Sequence, residues 1–463
     1  MEKEKRSRKT KVVPALQAIR PEVAGIDVGS REHWVCGPAL ESGQPNVRVF
    51  GTTTTQLEEL VAWLCAQGVK SVAMESTGVY WIPLYELLES HGIEAVLANA
   101  RQLHNVPGRK TDFADCQWIQ LLHSCGLLRG SFRPGPAITA MRAIHRHLAN
   151  LVEQRAHYVQ WMQKALDQMN VQVHRAVTDL TGTTGMAIVR AIVAGQRDPA
   201  SLSALRDPRC GKSAEEIARY LTGTWRDEHL FSLASTLELY DAIDKLIGTC
   251  ESRLLDSIKA LQPDERKDLA LPTHPKPSKE RFLRSHGAQL VRTALWRFAG
   301  ADLTRIDGIS IGSAKIILTE VGPDLSAFPS EHHFVSWLRL CPRTPISGGK
   351  PLKKGRNGMG ANRVANTLRM AASSLQRGKS ALGAAYRRIA RKKGALVAVF
   401  ATARKLAQLV YRMLRYGQDY TDIGESNYES LFEARRLAGL TEAARSLGYS
   451  LTKNPPPSLQ TLT

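Results

Sequence analysis

The chain has 463 residues, with 63 Lys and Arg against 43 Asp and Glu, and a formal net charge of +20. Its 43% hydrophobic and 23% charged residues are typical of globular proteins, and its length predicts about two to three domains. No stretch approaches the roughly 18 uncharged apolar residues of a membrane span, and the charged N-terminus lacks a secretion signal's apolar core. Seven scattered cysteines, without a Cys-x-x-Cys pair, indicate a reducing cytoplasm and argue against a zinc site. The surplus of positive charge predicts a nucleic-acid partner.

The first third of the chain has the pattern of an α/β domain. Residues 1–20 form a basic, low-complexity arm that we predict to be disordered. Short apolar runs between 21 and 130 predict strands, and apolar residues at helical spacing predict helices between them. The predicted elements, in order, are strands at 22–29, 33–40 and 46–52, a helix ending at Gly68, a strand at 69–74, a helix at 80–90, a strand at 93–98 and a helix at 111–125. This order is that of a ribonuclease-H-like domain.

Four acidic residues fall at the ends of these elements. Asp27 lies inside a strand, Glu75 closes a neighbouring strand, and Asp112 and Asp115 share one face of a helix because they are three residues apart. Converging carboxylates repel one another unless cations neutralise them, and oxygen-only ligands favour Mg²⁺ or Mn²⁺. Two such ions, about 4 Å apart, would clamp a phosphodiester. The alternative is that these are ordinary surface and capping acids, which fits Asp27 least because a buried mid-strand carboxylate is costly.

The middle of the chain predicts a helical arm. Apolar residues recur at a 3,4 spacing from Met141 to Met169 and again from Leu230 to Leu261, interrupted in the first run by Arg155. Two such stripes predict a helical hairpin or coiled coil over 138–262 that serves in oligomerisation. The insert at 178–225 is less periodic, and the proline-rich stretch at 263–285 is interpreted as a linker.

The C-terminal part, residues 286–420, carries most of the positive charge. From Arg339 to Arg415 there are 19 Lys and Arg and no Asp or Glu, which predicts contact with nucleic acid because no acid within the run can pair with them. The predicted contacts are Lys350, Lys353, Lys354, Arg356, Arg363, Arg387, Arg388, Arg391, Lys392 and Lys393. Residues 421–463 are interpreted as an extension and a loose tail.

Two loops in this region have candidate functions. Ser347 lies in a glycine-rich loop, 345–350, beside several cations that would stabilise charge on a phosphate under attack. No His–Asp pair is nearby, so a hydrolase triad is not indicated, and the alternative is a simple turn. The stretch 303–317 resembles a helix-hairpin-helix module, whose turn amides bind phosphate, although Ser310 replaces its usual glycine.

Taken together, these residues resemble a family of bacterial insertion-sequence transposases named after an Asp-Glu-Asp-Asp motif. The resemblance rests on the strand 25–28, the segments 74–80 and 110–115, and the stretch from Ile306 to Leu375 with Leu340-Cys341-Pro342 and Ser347-Gly348-Gly349. It implies a RuvC-like domain joined by a coiled coil to a C-terminal transposase domain.

The resemblance also implies an activity, a metal and partners. Ser347 would attack DNA to form a phosphoserine intermediate, and Asp27, Glu75, Asp112 and Asp115 would hold Mg²⁺ to assist it. A structured non-coding RNA would pair with both donor and target DNA. Protomers would form a dimer that assembles to a tetramer, with the two domains of one active site coming from different protomers, in the bacterial cytoplasm and on the nucleoid when bound to DNA.

Two other interpretations stay open on the sequence. The first is a RuvC-like, metal-dependent junction nuclease that cuts by water attack and uses Ser347 only as a backbone contact. The second is a nucleic-acid-binding protein without enzymatic activity. A covalent protein–DNA adduct separates the recombinase from the nuclease, and neutral substitutions of Asp27 and Glu75 separate both from the binding protein.

Overall fold

The computed structural model describes residues 18–40, 44–76, 78–98, 111–276, 286–341, 346–347, 350–351 and 362–453. The chain divides into two compact units, Met1–Arg133 and Pro134–Thr463. Most of the predicted basic arm, part of the predicted linker and the end of the predicted tail lie outside the described residues. Among the residues described, no helix has the length and apolar character that a membrane crossing requires.

The first unit is built on a mixed five-stranded sheet. Its elements are β1 (Val23–Val28), β2 (Glu32–Cys36), β3 (Val47–Gly51), α1 (Thr54–Ala66), β4 (Ser71–Glu75), α2 (Trp81–Ser90), β5 (Glu94–Ala98) and α3 (Asp112–Ser124). The strand order is β3-β2-β1-β4-β5, with β1–β2 and β2–β3 antiparallel and β1–β4 and β4–β5 parallel. The predicted α/β organisation is confirmed, and it is compatible with an RNase H-like fold.

The two faces of β1 have different neighbours. Ala24, Ile26 and Val28 belong to the apolar core that the sheet shares with α1 and α2. Side chains alternate along a strand, so Gly25 and Asp27 point to the opposite face. A Cβ atom at Gly25 would lie 2.2 Å from the backbone nitrogen of Gln120 and 2.6 Å from the carbonyl oxygen of Cys116, both on α3. Glycine therefore allows α3 to lie directly on β1.

Replacing Gly25 by alanine is expected to lower the free energy of unfolding by about 2–3 kcal/mol, because the new methyl group meets helix backbone that cannot turn aside. Urea denaturation of Gly25→Ala measures the loss. Gly130→Ala is the matched control, since its Cβ would find its nearest atom, Val96 Cγ1, at an ordinary 3.5 Å. Equal stability of the two variants would contradict the close approach of α3 to β1.

The second unit begins with two long paired helices. They are α4 (Pro136–Gln168) and α9 (Asp227–Ala260). Arg155, which interrupts the predicted apolar stripe, forms an ion pair with Asp244 on α9. Four short helices lie between them in sequence, and their apolar side chains share one core with the ends of the long helices. The short helices are α5 (Val173–Ala176), α6 (Thr183–Val193), α7 (Pro199–Ser203) and α8 (Ala214–Tyr220).

The rest of the unit is mostly helical. Its elements are α10 (His286–Ala299), α11 (Ile311–Val321), α12 (Glu331–Trp337), β6 (Ile346–Ser347), β7 (Lys350–Pro351), α13 (Arg363–Ser374), α14 (Ala381–Lys393), α15 (Ala395–Tyr416) and α16 (Glu425–Ser446). The apolar face of α15 is buried against α12, α13 and α14. Tyr411 lies at the centre of this packing and donates a hydrogen bond from its hydroxyl to the carbonyl of Phe328 at 2.7 Å.

The predicted helix-hairpin-helix segment differs from the expectation. Its first element is a single 3₁₀ turn, Leu303–Arg305, and the glycine turn that follows leads directly to α11. Ser310 caps α11, since its Oγ accepts a hydrogen bond from the backbone nitrogen of Ser313 at 3.1 Å. Gly308 has a φ of +87° and lies so close to α13 that a Cβ would be 2.8 Å from the carbonyl oxygen of Ala371. Phosphate binding at this turn stays a prediction.

The helix α16 falls in the stretch that the sequence predicted only as an extension and tail. Its sequence lacks the apolar periodicity that marks a helix packed on a core, and none of its side chains is buried. Its first turns are held on α14 by cations: Arg387 pairs with Glu425, and the guanidinium of Arg388 lies 3.6 Å from the ring centroid of Phe432.

Candidate carboxylate site and basic surface

The structure places Asp27 and Glu75 at the same end of neighbouring strands. Ile26 pairs in parallel register with Met74, and Asp27 and Glu75 come next on each strand. Paired residues of parallel strands point to the same face, which at Gly25 is the face covered by α3. Both carboxylates therefore extend from the carboxyl end of the central strands toward the side of the sheet on which α3 lies.

The helix α3 brings the other two acids to this end. Its later residue Gln120 donates a hydrogen bond to the carbonyl of Val23 at 3.5 Å. Its early residue Phe113 lies edge-on to Trp34, with ring centroids 6.4 Å apart, and Trp34 is the register partner of Asp27. The helix thus runs antiparallel to β1, and its first turn lies beside Asp27.

Asp112 and Asp115 occupy that first turn. Asp112 is exposed and Asp115 is partly buried. Thr111 caps the helix by accepting a hydrogen bond at Oγ1 from the backbone nitrogen of Ala114 at 3.2 Å. The free backbone N–H groups of a helix start favour negative charge, so the sequence Thr-Asp-Phe-Ala-Asp stabilises both the helix end and its two acids.

A buried thiol lies beneath this site. Burial raises the pKa of Cys116 to about 12, with smaller contributions from the neighbouring Cys36 and from the carboxylate of Asp27. The influence of Asp27 on Cys116 agrees with a carboxylate directed toward α3. Because the thiol stays protonated near neutral pH, it does not compete with carboxylates for a hard cation.

The chemical type of the four side chains suits a divalent cation, since all are carboxylates and lie at one end of a sheet. Among the described residues, however, no three His, Cys, Asp or Glu side chains form a group able to hold a metal ion. The backbone brings the four acids to one region, while their side chains do not converge on one point. Their roles as metal ligands and catalytic groups therefore stay predictions.

Ser347 ends a very short strand. Ile346 pairs with Pro351 and Ser347 pairs with Lys350 in the antiparallel hairpin of β6 and β7. Two glycines, Gly348 and Gly349, separate the paired residues in sequence, and they lie outside the described residues. The backbone thus places the predicted nucleophile and a predicted phosphate contact opposite each other at a hairpin end.

The predicted nucleic-acid contacts fall into three groups. Lys353, Lys354 and Arg356 lie outside the described residues, and only the backbone of Lys350 is described. Arg391, Lys392 and Lys393 are exposed in the last turn of α14, where no ion pair is formed with any other described residue. The remaining three are paired with acids or aromatic rings that lie outside the basic run. They are Arg363, Arg387 and Arg388.

The buried histidines have structural environments. The Oγ of Ser71 lies 2.8 Å from Nε2 of His123, and burial lowers the pKa of His123. Burial also lowers the pKa of His145 to about 4, and the charge of Lys315 adds to this effect. His33 is buried as well.

A second cluster of charged residues was not predicted from the sequence. Glu320 is buried near the end of α11 and is surrounded by Arg142 and Arg146 of α4 and by Arg363 of α13. One acid among the apolar residues of α11, and two arginines four apart beside an apolar stripe, are visible in the sequence. Their meeting depends on the tertiary packing of three helices.

Comparison with known families shows to which family the protein belongs. Residues 24–171 match the family described as DEDD_Tnp_IS110, transposase, and residues 300–387 match the transposase IS116/IS110/IS902 family. The two regions cover the four acids and Ser347, and together they span about half of the chain. No curated protein matches the sequence.

The fold and these matches define a DNA transposase, an enzyme that acts on DNA in recombination. The chain belongs to the IS110 family of DEDD transposases. The family predicted from the sequence is thereby confirmed.

Proposed function

We propose that this transposase is an RNA-guided recombinase that cuts and rejoins DNA through a phosphoserine at Ser347, assisted by Mg²⁺. The observation that carries the proposal is the placement of the acids and the serine. The four acids gather at one end of the β1–β4 sheet inside one matched region, and Ser347 ends a hairpin strand inside the other. In this proposal the acids of one protomer assist the serine of another, so Ser347 needs no base of its own.

The serine supplies the nucleophile. Its Oγ attacks a backbone phosphorus, an Oγ–P bond forms, and the bond from phosphorus to one deoxyribose oxygen breaks. The serine proton leaves to solvent or to a carboxylate, and the departing deoxyribose oxygen takes a proton. The phosphodiester energy is kept in the protein–DNA bond, so a second DNA strand can be joined without ATP.

The carboxylates Asp27, Glu75, Asp112 and Asp115 are the residues that would hold the cation, once their side chains turn toward one point. Bound Mg²⁺ would stabilise negative charge on the phosphate oxygens. Mn²⁺ is the alternative ion with the same preference for oxygen ligands. The acids also exclude DNA from their end of the sheet when no cation is bound, because carboxylate and phosphate repel each other.

The partners follow from the family resemblance and from the charge. Donor and target DNA would be held by the exposed cations, including Arg391, Lys392 and Lys393, and a structured non-coding RNA would select both sites. We propose a homo-oligomer in which dimers assemble to a tetramer, with the long α4–α9 pair as the oligomerisation element.

The proposal predicts that strand exchange requires RNA. Purified protein, element-end DNA and target DNA are incubated with Mg²⁺, with and without transcripts of the DNA that flanks the gene. Joined products are expected to rise by at least about 10²-fold with the matching transcript, because base pairing supplies the site selection. Equal product yields with matching, scrambled and no RNA would contradict RNA guidance and leave only the transposase assignment.

A further inference from the structure

A buried carboxylate organises three arginines at the junction of α4, α11 and α13. Glu320 is 5% exposed. Arg146 donates to both of its carboxylate oxygens, from Nε at 2.9 Å and from Nη2 at 2.8 Å. Arg142 Nε lies 3.4 Å from Oε2, and Arg363 Nε lies 4.0 Å from Oε1. One acid thus holds three guanidinium groups that come from two different helices.

The cluster carries more positive charge than its acid neutralises. Three arginines and one carboxylate leave a formal charge of +2. Within the described part of the chain, no second acid forms an ion pair with Arg146 or Arg363.

Part of this charge faces solvent. The side chains of Arg146 and Arg363 are 48% and 41% exposed, whereas that of Glu320 is 6% exposed. Arg146 uses Nε and Nη2 on Glu320, which leaves Nη1 for another acceptor. Arg363 is the first residue of α13, where Asn362 caps the N–H group of Ala365, and the remaining N–H groups of that helix start add to the positive potential. The arrangement presents preoriented donors to an external anion.

We propose that Arg146 and Arg363 bind a backbone phosphate of nucleic acid, and that Glu320 positions the two guanidinium groups for it. The proposal deepens the proposed function and rests on nucleic acid being the substrate. It places a phosphate site on the arm helix α4 as well as on α13. The basic surface therefore extends beyond the run from Arg339 to Arg415.

A purely structural role of this cluster predicts different results. If the ion pairs only joined α4, α11 and α13, removing either Glu320 or the arginines would weaken folding and binding together. A phosphate site predicts opposite effects on binding. Loss of an arginine removes a contact, whereas Glu320→Gln removes a negative charge that competes with the phosphate.

The test measures binding of the full-length Ser347→Ala chain, which performs no strand exchange. Fluorescence anisotropy follows a labelled 30-base-pair DNA duplex in one arm and a labelled RNA hairpin in the other, between 50 and 300 mM KCl. With Arg146→Gln and Arg363→Gln combined, one phosphate site is lost, so affinity is expected to fall about tenfold at 0.1 M salt. The slope of log affinity against log salt should lessen by about 1. The arm that changes identifies the bound strand.

Two further variants separate a loss of binding from a loss of folding. Arg363→Gln alone, at a half-exposed site, should lessen the slope by less than the double variant does, while the chain stays folded. Glu320→Gln should lower the melting temperature yet keep or increase affinity, because the amide oxygen still accepts a hydrogen bond from Arg146 while the competing charge is removed. Arg190→Gln is the matched control, because Arg190 makes a bidentate pair with Asp241 at 2.6 and 2.7 Å, one acid to one arginine. It should leave binding within about twofold.

The proposal is overturned if the double variant binds both probes like the Arg190→Gln control, or if Glu320→Gln weakens binding as much as the double variant does. Neither outcome depends on a phosphoserine, since every chain lacks the Ser347 hydroxyl. A failure of RNA guidance leaves the duplex arm unaffected, so the two proposals fail separately.

Discussion

Ser347→Ala is expected to lower the rate of strand exchange by at least about 10³-fold, because the variant has no oxygen with which to form the covalent intermediate. Binding of DNA and RNA should stay within about twofold, since a single hydroxyl adds little to a surface dominated by cations. Single-turnover assays with element-end DNA measure the first quantity, and fluorescence anisotropy measures the second. A loss in exchange without a loss in binding assigns the effect to chemistry.

Ser373→Ala serves as the control for this variant. Ser373 is exposed on α13 and donates its hydroxyl hydrogen to the carbonyl of Arg369 at 3.1 Å, within its own helix. The substitution removes a serine hydroxyl from the same basic region without touching the hairpin. Its exchange rate should equal that of the wild type. Full exchange by Ser347→Ala would contradict the covalent mechanism, whereas strand cleavage without rejoining would support the junction nuclease, in which water is the nucleophile.

Asp27→Asn is expected to reduce strand exchange by about 10² to 10³-fold, because an amide has almost the same shape as the carboxylate but lacks the charge that a divalent cation needs. The fold should persist, since β1 is held by backbone pairing to β2 and β4. The rate is measured across a Mg²⁺ titration. An increased requirement for Mg²⁺ would show that the substitution acts through metal binding.

Glu94→Gln is the matched control for the acid site. Glu94 begins β5 and is exposed, at the end of the sheet opposite to Asp27 and Glu75. Glu94→Gln changes the net charge of the chain by the same amount as Asp27→Asn, but it leaves the four-acid site unaltered. Unchanged exchange by Asp27→Asn, at every Mg²⁺ concentration, would mean that Asp27 has only a structural role.

The strands and helices of the first unit were largely predictable from sequence because each has a strong local pattern. Buried runs such as Val69 to Met74 and the helical spacing of Leu57, Leu60, Val61 and Leu64 predict their elements to within a few residues. The position of Asp27 within a strand was also predicted correctly, whereas its catalytic role stays a prediction. The sequence could not show that Gly25 lets α3 lie on β1, since that contact joins distant parts of the chain.

The second unit was less predictable because its special features depend on tertiary contacts. The helix α16 is stabilised by Arg387 and Arg388 rather than by an apolar stripe of its own. The absence of acids within the run from Arg339 to Arg415 predicted that all of its cations are free to bind nucleic acid. Acids from outside the run, such as Glu320 and Glu331, pair with some of them. Composition along the chain therefore overestimates the charge that is free to bind nucleic acid.

The central claim is a covalent bond between Ser347 and DNA. The most direct measurement is mass spectrometry of the wild-type protein quenched with denaturant during strand exchange, then digested with nuclease and trypsin. The account predicts a nucleotide attached to the peptide that contains Ser347, and its disappearance in Ser347→Ala. Complete strand cleavage with every peptide unmodified, or with the nucleotide on another residue, would contradict it.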